Sequence, residues 1–83
     1  ALAALTREMA HDFGPYGVRV NAIAPGEVET AILSPGTDKI VEKLPMQRLG
    51  QPKEVADVIW FLCSDQSSYI SGAEIEVNGA QHV

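Results

Sequence analysis

The run Val18-Arg19-Val20-Asn21-Ala22-Ile23-Ala24-Pro25-Gly26 constrains the fold of this chain more than any other stretch. Val18, Val20 and Ile23 are β-branched and sit in a nearly continuous apolar run, the pattern of a strand buried in a parallel sheet. Pro25 lacks a backbone donor and Gly26 permits a turn that other residues resist, so the strand is predicted to stop there. In open α/β sheets, ligands bind just outside the carboxyl ends of the strands. The polar segment after Pro-Gly, with a hydroxyl at Thr30, is therefore predicted to form the rim of a ligand crevice.

The remaining elements are placed around that rim. Leu2, Leu5, Met9 and Phe13 share one apolar face of a helix, with Thr6, Arg7, Glu8 and His11 elsewhere on it. Alanines at 1, 3, 4 and 10 favour helix and allow close approach of a neighbour. Gly14-Pro15-Tyr16-Gly17 ends that helix and turns the chain into the strand. Residues 27–51 are weakly patterned, broken at Ser34-Pro35-Gly36, with a short helix predicted over Thr37 to Leu44 and a stop at Pro45. A long segment of this kind beside a crevice reads as a substrate lid or pocket wall.

Gln51-Pro52-Lys53-Glu54 opens a second firm helix, with proline at its first position and an acid in its first turn. Val55, Val58, Ile59, Leu62 and Cys63 form its apolar face; Trp60 and Phe61 widen it, which predicts a well-covered helix and an inert core thiol at Cys63. A polar loop follows, where Asp65 is placed to cap or turn the chain. Glu74 to Val77 alternates as a strand and Asn78-Gly79 turns out of it. The order helix, strand, lid, helix, strand implies a parallel pair joined by a crossover, part of an α/β sheet. Such a pair needs further strands to cover its edges. The opening at Ala1, inside a helical pattern with no capping residue ahead of it, reads as the tail of a longer chain.

Composition narrows the function classes. With 83 residues the chain is one domain at most, close to the size at which a single core becomes marginal. A net charge of −5 disfavours nucleic-acid and acidic-membrane partners. One cysteine supplies no disulfide framework, and no run is long enough to span a bilayer, which makes the cytoplasm the expected compartment. His11 and His82 have no ligand-spaced partners, so no metal site is expected.

Val20-Asn21-Ala22-Ile23-Ala24-Pro25-Gly26 with Thr30 behind it resembles the short-chain dehydrogenase/reductase family. Arg48 to Ala56 resembles that family's entry into its last long helix. Ser67-Ser68-Tyr69-Ile70-Ser71-Gly72 resembles the loop before its last strand, and Glu74 to Gly79 resembles that strand and its turn. Four stretches in register cover essentially the whole chain, in a tone nearest to 3-oxoacyl-[acyl-carrier-protein] reductase-like members. The resemblance implies the C-terminal third of a Rossmann-like, doubly wound parallel sheet. It further implies an NAD- or NADP-dependent oxidoreductase that interconverts a carbonyl and an alcohol on a small molecule and assembles as a homodimer or homotetramer.

By the same resemblance, the family's Tyr-x-x-x-Lys pair and its catalytic serine fall ahead of Ala1. No catalytic residue is therefore expected here, and the chain alone is expected to be inactive. Pro25, Gly26 and Val28 match the loop lining the nicotinamide, with the Val28 backbone placed to bond the carboxamide. Thr30 matches a hydroxyl near the carboxamide and pyrophosphate; it also reads as the N-cap of a helix over 31–33. The final turn departs from the Asp-Gly-Gly of many relatives, being Asn78-Gly79-Ala80, and Glu27 stands where many carry an apolar residue. The alternative function is a non-catalytic binding or assembly module on the same fold.

Several polar residues keep a plain structural reading beside a functional one. Asn21 reads as a brace between loops rather than a catalytic group. Glu27 and Glu29 read as solvated charges before an acid/base pair. Arg48 either reaches an anionic substrate group or pairs with Glu54.

Overall fold

In the computed structural model, which describes residues 1–30 and 34–83, the two expected strands pair in parallel. β1 is Ala22–Pro25 and β2 is Glu74–Val77, with Ala22 opposite Glu74 and Pro25 opposite Val77. Pro25 tolerates this position because it is the last residue of its strand, where its missing donor breaks no ladder bond. Three α-helices accompany them: α1 over Leu2–Phe13, α2 over Thr37–Lys43 and α3 over Pro52–Cys63. Single 3₁₀ turns follow α1 at Gly14–Tyr16 and α3 at Asp65–Ser67. No helix among the described residues is long and apolar enough to cross a membrane.

The strand expected from Val18 begins later, at Ala22. The reason lies in its partner: β2 starts only at Glu74, and upstream of it the Gly72 N–H donates to the Val20 carbonyl at 2.7 Å while the Val20 N–H donates to Ser71 Oγ at 3.1 Å. Residues 18–21 are thus held by a loop rather than by a ladder. α2 stops one residue short of Leu44, which is extended at ψ 136° because the following Pro45 disfavours helical backbone before it. Leu44 turns inward as a result and is one of the few buried apolar residues.

α1 buries a different face from the expected one. Leu2, Leu5, Met9 and Phe13 are exposed, and Thr6, assigned to the polar side, is 4% exposed. The inward stripe is Ala3, Thr6 and Ala10, small residues spaced by three and four. Thr6 satisfies its buried hydroxyl by donating to the Leu2 carbonyl one turn back, at 2.7 Å. Ala10 lies against Gly72, where an added Cβ would meet the Ala10 methyl at 3.4 Å. Small residues bring the helix close to the loop ahead of β2, and this closeness excludes the long side chains from that side.

α3 is also less covered than expected. Leu62 is buried and Val55 and Val58 are half-buried, whereas Trp60 is 75% exposed. Cys63 is exposed, which corrects its reading as a core thiol. One residue past Leu62 is a rotation of about 100° around the helix, so the buried position carries Cys63 away from the inward side.

Candidate functional site

The carboxyl ends of β1 and β2 open onto a surface built by Gly26–Thr30, Gly50–Gln51 and Asn78–Gln81. Past Pro25 the Gly26 N–H donates to the Val77 carbonyl at 3.1 Å, so the chain leaves the strand in line with it. It then makes a second, isolated parallel bridge, Val28 opposite Gly50. The Gly50 N–H donates to the Glu27 carbonyl at 2.9 Å, and the Glu29 N–H donates to the Gly50 carbonyl at 2.8 Å. Because both peptides flanking Val28 are planar and trans, these bonds point the Val28 N–H and C=O the opposite way. Among the described residues neither group has a protein partner. A donor and an acceptor on adjacent peptides, both pointing sideways away from Gly50, match in geometry a planar group that carries one of each.

The bridge also closes the base of the 27–51 segment, whose far end is held by charge. Arg48 grips Glu54 with two bonds, Nη1 to Oε1 at 2.7 Å and Nη2 to Oε2 at 2.9 Å. The same carboxylate caps α3 by accepting the Gln51 N–H at 2.9 Å. The hydrogen bonds from Arg48, then the one from Gln51, hold the Glu54 carboxyl down at about 2 from a usual 4.5. Arg48, whose two readings were open, is thereby committed to Glu54. Glu29 accepts from the Gln51 side chain at 2.5 Å, and Glu27 points to solvent; both carboxylates are exposed.

A third segment completes the surface. After β2, Gly79 and Ala80 are both left-handed, at φ 59° and 66°, and the Gln81 N–H donates to the Asn78 carbonyl at 3.1 Å. Two successive left-handed residues under an i to i+3 bond make a tight reversing turn. It swings the Gln81 side chain over the rim, where its Oε1 accepts the Glu27 N–H at 3.2 Å. Gly26 is the slot that admits it: a Cβ there would stand 2.4 Å from Gln81 Oε1 and 2.6 Å from Asn78 Cβ. Gly79 in turn lies under Met46, whose sulfur would be 3.2 Å from an added Cβ.

The four residues expected at the cofactor divide in their placement. Val28 and Thr30 line a cleft of about 180 Å³ together with Thr37, Ile40 and Leu49. Pro25 closes the strand, and Gly26 faces the C-terminal turn rather than the cleft. The N-cap reading of Thr30 concerns residues 31–33, outside the described residues. The cleft is smaller than the roughly 300–1,000 Å³ typical of small-molecule pockets, so it holds one end of a ligand at most. A larger hollow of about 480 Å³, between Gly14–Arg19 and Ser68–Ser71, lies at the opposite ends of the strands. Asn21 braces that opposite end, donating to the Ile70 carbonyl at 3.0 Å and accepting the Ala73 N–H at 3.1 Å. Asp65 begins the 3₁₀ turn, but Ser64 caps it, its Oγ accepting the Gln66 N–H. Among the described residues no three His, Cys, Asp or Glu side chains gather as a metal site.

Gln81 was not legible as a site residue. Its only trace in the sequence is the Asn-Gly-Ala turn directly ahead of it, which marks a reversal without saying what it returns to.

Comparison with known proteins places this surface in context. A family model described as enoyl-(acyl carrier protein) reductase matches residues 1–82. Protein FixR of Bradyrhizobium diazoefficiens is 58% identical over 84 residues, which cover 100% of this chain and 30% of that protein. The 3-oxoacyl-[acyl-carrier-protein] reductase of Aquifex aeolicus is 46% identical over 82 residues, covering 94% of this chain and 33% of that one. Among solved structures, a 3-oxoacyl-[acyl-carrier protein] reductase from Brucella melitensis with bound NAD superposes with a TM-score of 0.89 at 41% identity, over 99% of this chain and 30% of its own. The chain therefore spans about a third of the length of the curated relatives it matches.

Proposed function

The chain belongs to the short-chain dehydrogenase/reductase family, and from that premise we propose that it forms the C-terminal third of an NAD- or NADP-dependent oxidoreductase interconverting a carbonyl and an alcohol. The observation that carries this reading is the pair of unpartnered backbone groups on Val28, at the carboxyl end of β1. A nicotinamide carboxamide presents one acceptor oxygen and one donor amine in a plane, the complement of the Val28 N–H and C=O. When bound, the dinucleotide supplies the hydride; the residues here hold its nicotinamide end and set which way it faces.

In this reading Val28 binds, Thr30 lines the same cleft, Thr37 braces it by donating its hydroxyl to the Ser34 carbonyl at 2.6 Å, and Ile40 and Leu49 shield it from water. The Arg48–Glu54 grip and the Gly50 bridge fix both ends of the 27–51 segment, which acts as the substrate wall. The tyrosine and lysine that move the proton belong to the two thirds of such a protein that this chain does not span. A small-molecule substrate is preferred over nucleic acid or membrane on the net charge of −5. The exposed Leu2, Leu5, Met9 and Phe13 on α1 support packing against further protein surface, supplied by the rest of such a domain or by a second subunit of a homo-oligomer.

The test is a fluorescence titration of NADH and of NADPH into the protein of family length that carries this chain, followed by turnover of 3-oxoacyl and enoyl thioesters. Binding of one dinucleotide with reduction of the 3-oxoacyl thioester is the expected result. Reduction of the enoyl thioester alone would replace the carbonyl assignment by a carbon–carbon double bond. Absence of dinucleotide binding would leave the non-catalytic binding or assembly module as the reading.

A further inference from the structure

We propose that Gln81 is a positioning residue for the cofactor: its side-chain oxygen holds the Glu27 peptide and thereby sets the angle at which Val28 meets the nicotinamide carboxamide. This rests on the oxidoreductase reading above and deepens it.

The argument begins with what orients Val28. Its N–H shares a planar peptide with the Glu27 carbonyl, and its C=O shares one with the Glu29 N–H. The Gly50 backbone bonds both of those partners and so fixes the side toward which Val28 points. A single bridge residue acts as an axle, however, and leaves the loop free to tilt about it. Tilt is stopped only by a bond off that axle. The Glu27 N–H, on the preceding peptide, makes such a bond to Gln81 Oε1 at 3.2 Å. Glu27 is thus held on both sides, through its carbonyl by Gly50 and through its N–H by Gln81.

Three features show that the Gln81 contact is built rather than incidental. Gly26 leaves room for it, since any Cβ would overlap Gln81 Oε1 at 2.4 Å. The turn that aims it holds Ala80 at φ 66°, a conformation that costs an L-residue energy and persists only where the surroundings enforce it. The enforcing bonds are present: the Ala80 N–H donates to Asn78 Oδ1 at 3.1 Å, and Asn78 Nδ2 donates to Glu76 Oε2 at 3.2 Å. A chain from Glu76 through Asn78 to Gln81 therefore connects the end of β2 to the loop after β1. Gln81 itself is half-buried, and its role in this proposal runs through Glu27.

The decisive comparison uses NADH or NADPH against ADP-ribose or its 2′-phosphate, which lack the nicotinamide, in the family-length protein. Gln81→Leu keeps the size and removes the acceptor. It is expected to weaken the intact dinucleotide about three- to tenfold, the span of one neutral hydrogen bond, and to leave the truncated ligand within about twofold. The Glu27 amide, followed by hydrogen exchange, quickens in the same variant. Gln81→Glu, which retains an acceptor at the same reach, restores both. Equal weakening of both ligands would reduce Gln81 to a fold-stabilising residue and overturn the proposal, as would unchanged affinity for both. A parent protein that binds neither dinucleotide overturns the oxidoreductase reading itself, and the proposal with it, a result distinct from a parent that binds while Gln81→Leu binds equally well. Should Gln81→Leu not fold, Gln81→Asn, one methylene too short to reach Glu27, takes its place.

Discussion

At the amino ends of β1 and β2, Arg19 spreads its guanidinium over the carbonyls of Leu62, Ser64 and Ile70 and over Ser67 Oγ, at 2.9 to 3.3 Å. Ser67, only 1% exposed, accepts that bond and shares its single hydrogen between the Phe61 and Leu62 carbonyls at the end of α3. Asn21 closes the remaining gap between Ile70 and Ala73. At the carboxyl ends the pattern is reversed. Gly50 and Gln81 take up the groups around Val28 and leave its own N–H and C=O open. One end uses Arg19, Ser67 and Asn21 to hold α3 and the loop ahead of β2 to the strands. The other orients a donor and an acceptor that no described residue satisfies. The first end serves stability; in the function proposed above, recognition falls to the second.

That division can be broken by mutation. The largest effect is expected from Arg19→Leu, which removes four charge-assisted hydrogen bonds at once, to three carbonyls and a buried hydroxyl: about 3 kcal/mol of stability in denaturant unfolding. The dinucleotide to ADP-ribose affinity ratio should stay unchanged, and a shifted ratio would mean that the two ends are coupled. Gly26→Ala comes next, at about 2 kcal/mol from the overlap with Gln81 and Asn78. Here the affinity ratio should fall with stability, because the displaced residue is the one that steadies Glu27. Asn21→Ala should cost about 1 kcal/mol, again without moving the ratio.

The smallest effect sharpens the comparison by pH. The Glu54 carboxyl sits at about 2 in the folded chain against a usual 4.5. A depressed folded value means that its contribution is complete above pH 4.5 and is lost as pH falls from there toward 2. Glu54→Gln should therefore flatten the stability profile in that window: its loss is full above pH 4.5, small because both partners are exposed and screened, and it vanishes as pH falls toward 2. An acid-limb slope that survives in Glu54→Gln would assign it to other carboxylates.

Periodicity and turn chemistry made much of the fold legible. The start of α3 at Pro52, the stop of α2 before Pro45, the halt of β1 at Pro25 and the turn at Asn78-Gly79 all follow from residues whose backbone preference is local. Their chemistry is the same wherever they stand, and a linear reading suffices. Which face of α1 turns inward was not legible. Leu2, Leu5, Met9 and Phe13 form the better apolar stripe, but close packing on Gly72 selects Ala3, Thr6 and Ala10 instead. Cys63 followed the same course, because the burial of Leu62 rather than its own hydrophobicity set its side of α3.

The site divides in the same way. Val28 was marked by the family resemblance and Thr30 by that resemblance and by its hydroxyl beyond Pro25-Gly26, and both line the cleft at the strand end. What the sequence determined by itself is where the strands end and which short loop follows them, since proline, glycine and alternating apolar residues impose those limits through their own dihedral and hydrogen-bonding constraints. Only the tertiary structure decided what each loop meets: Gly50 opposite Val28, Gln81 in the slot of Gly26, Arg19 beneath the end of α3. Those partners are 22 to 55 residues apart along the chain, and no local preference encodes a pairing that is made only when distant backbone groups must each find a donor or acceptor.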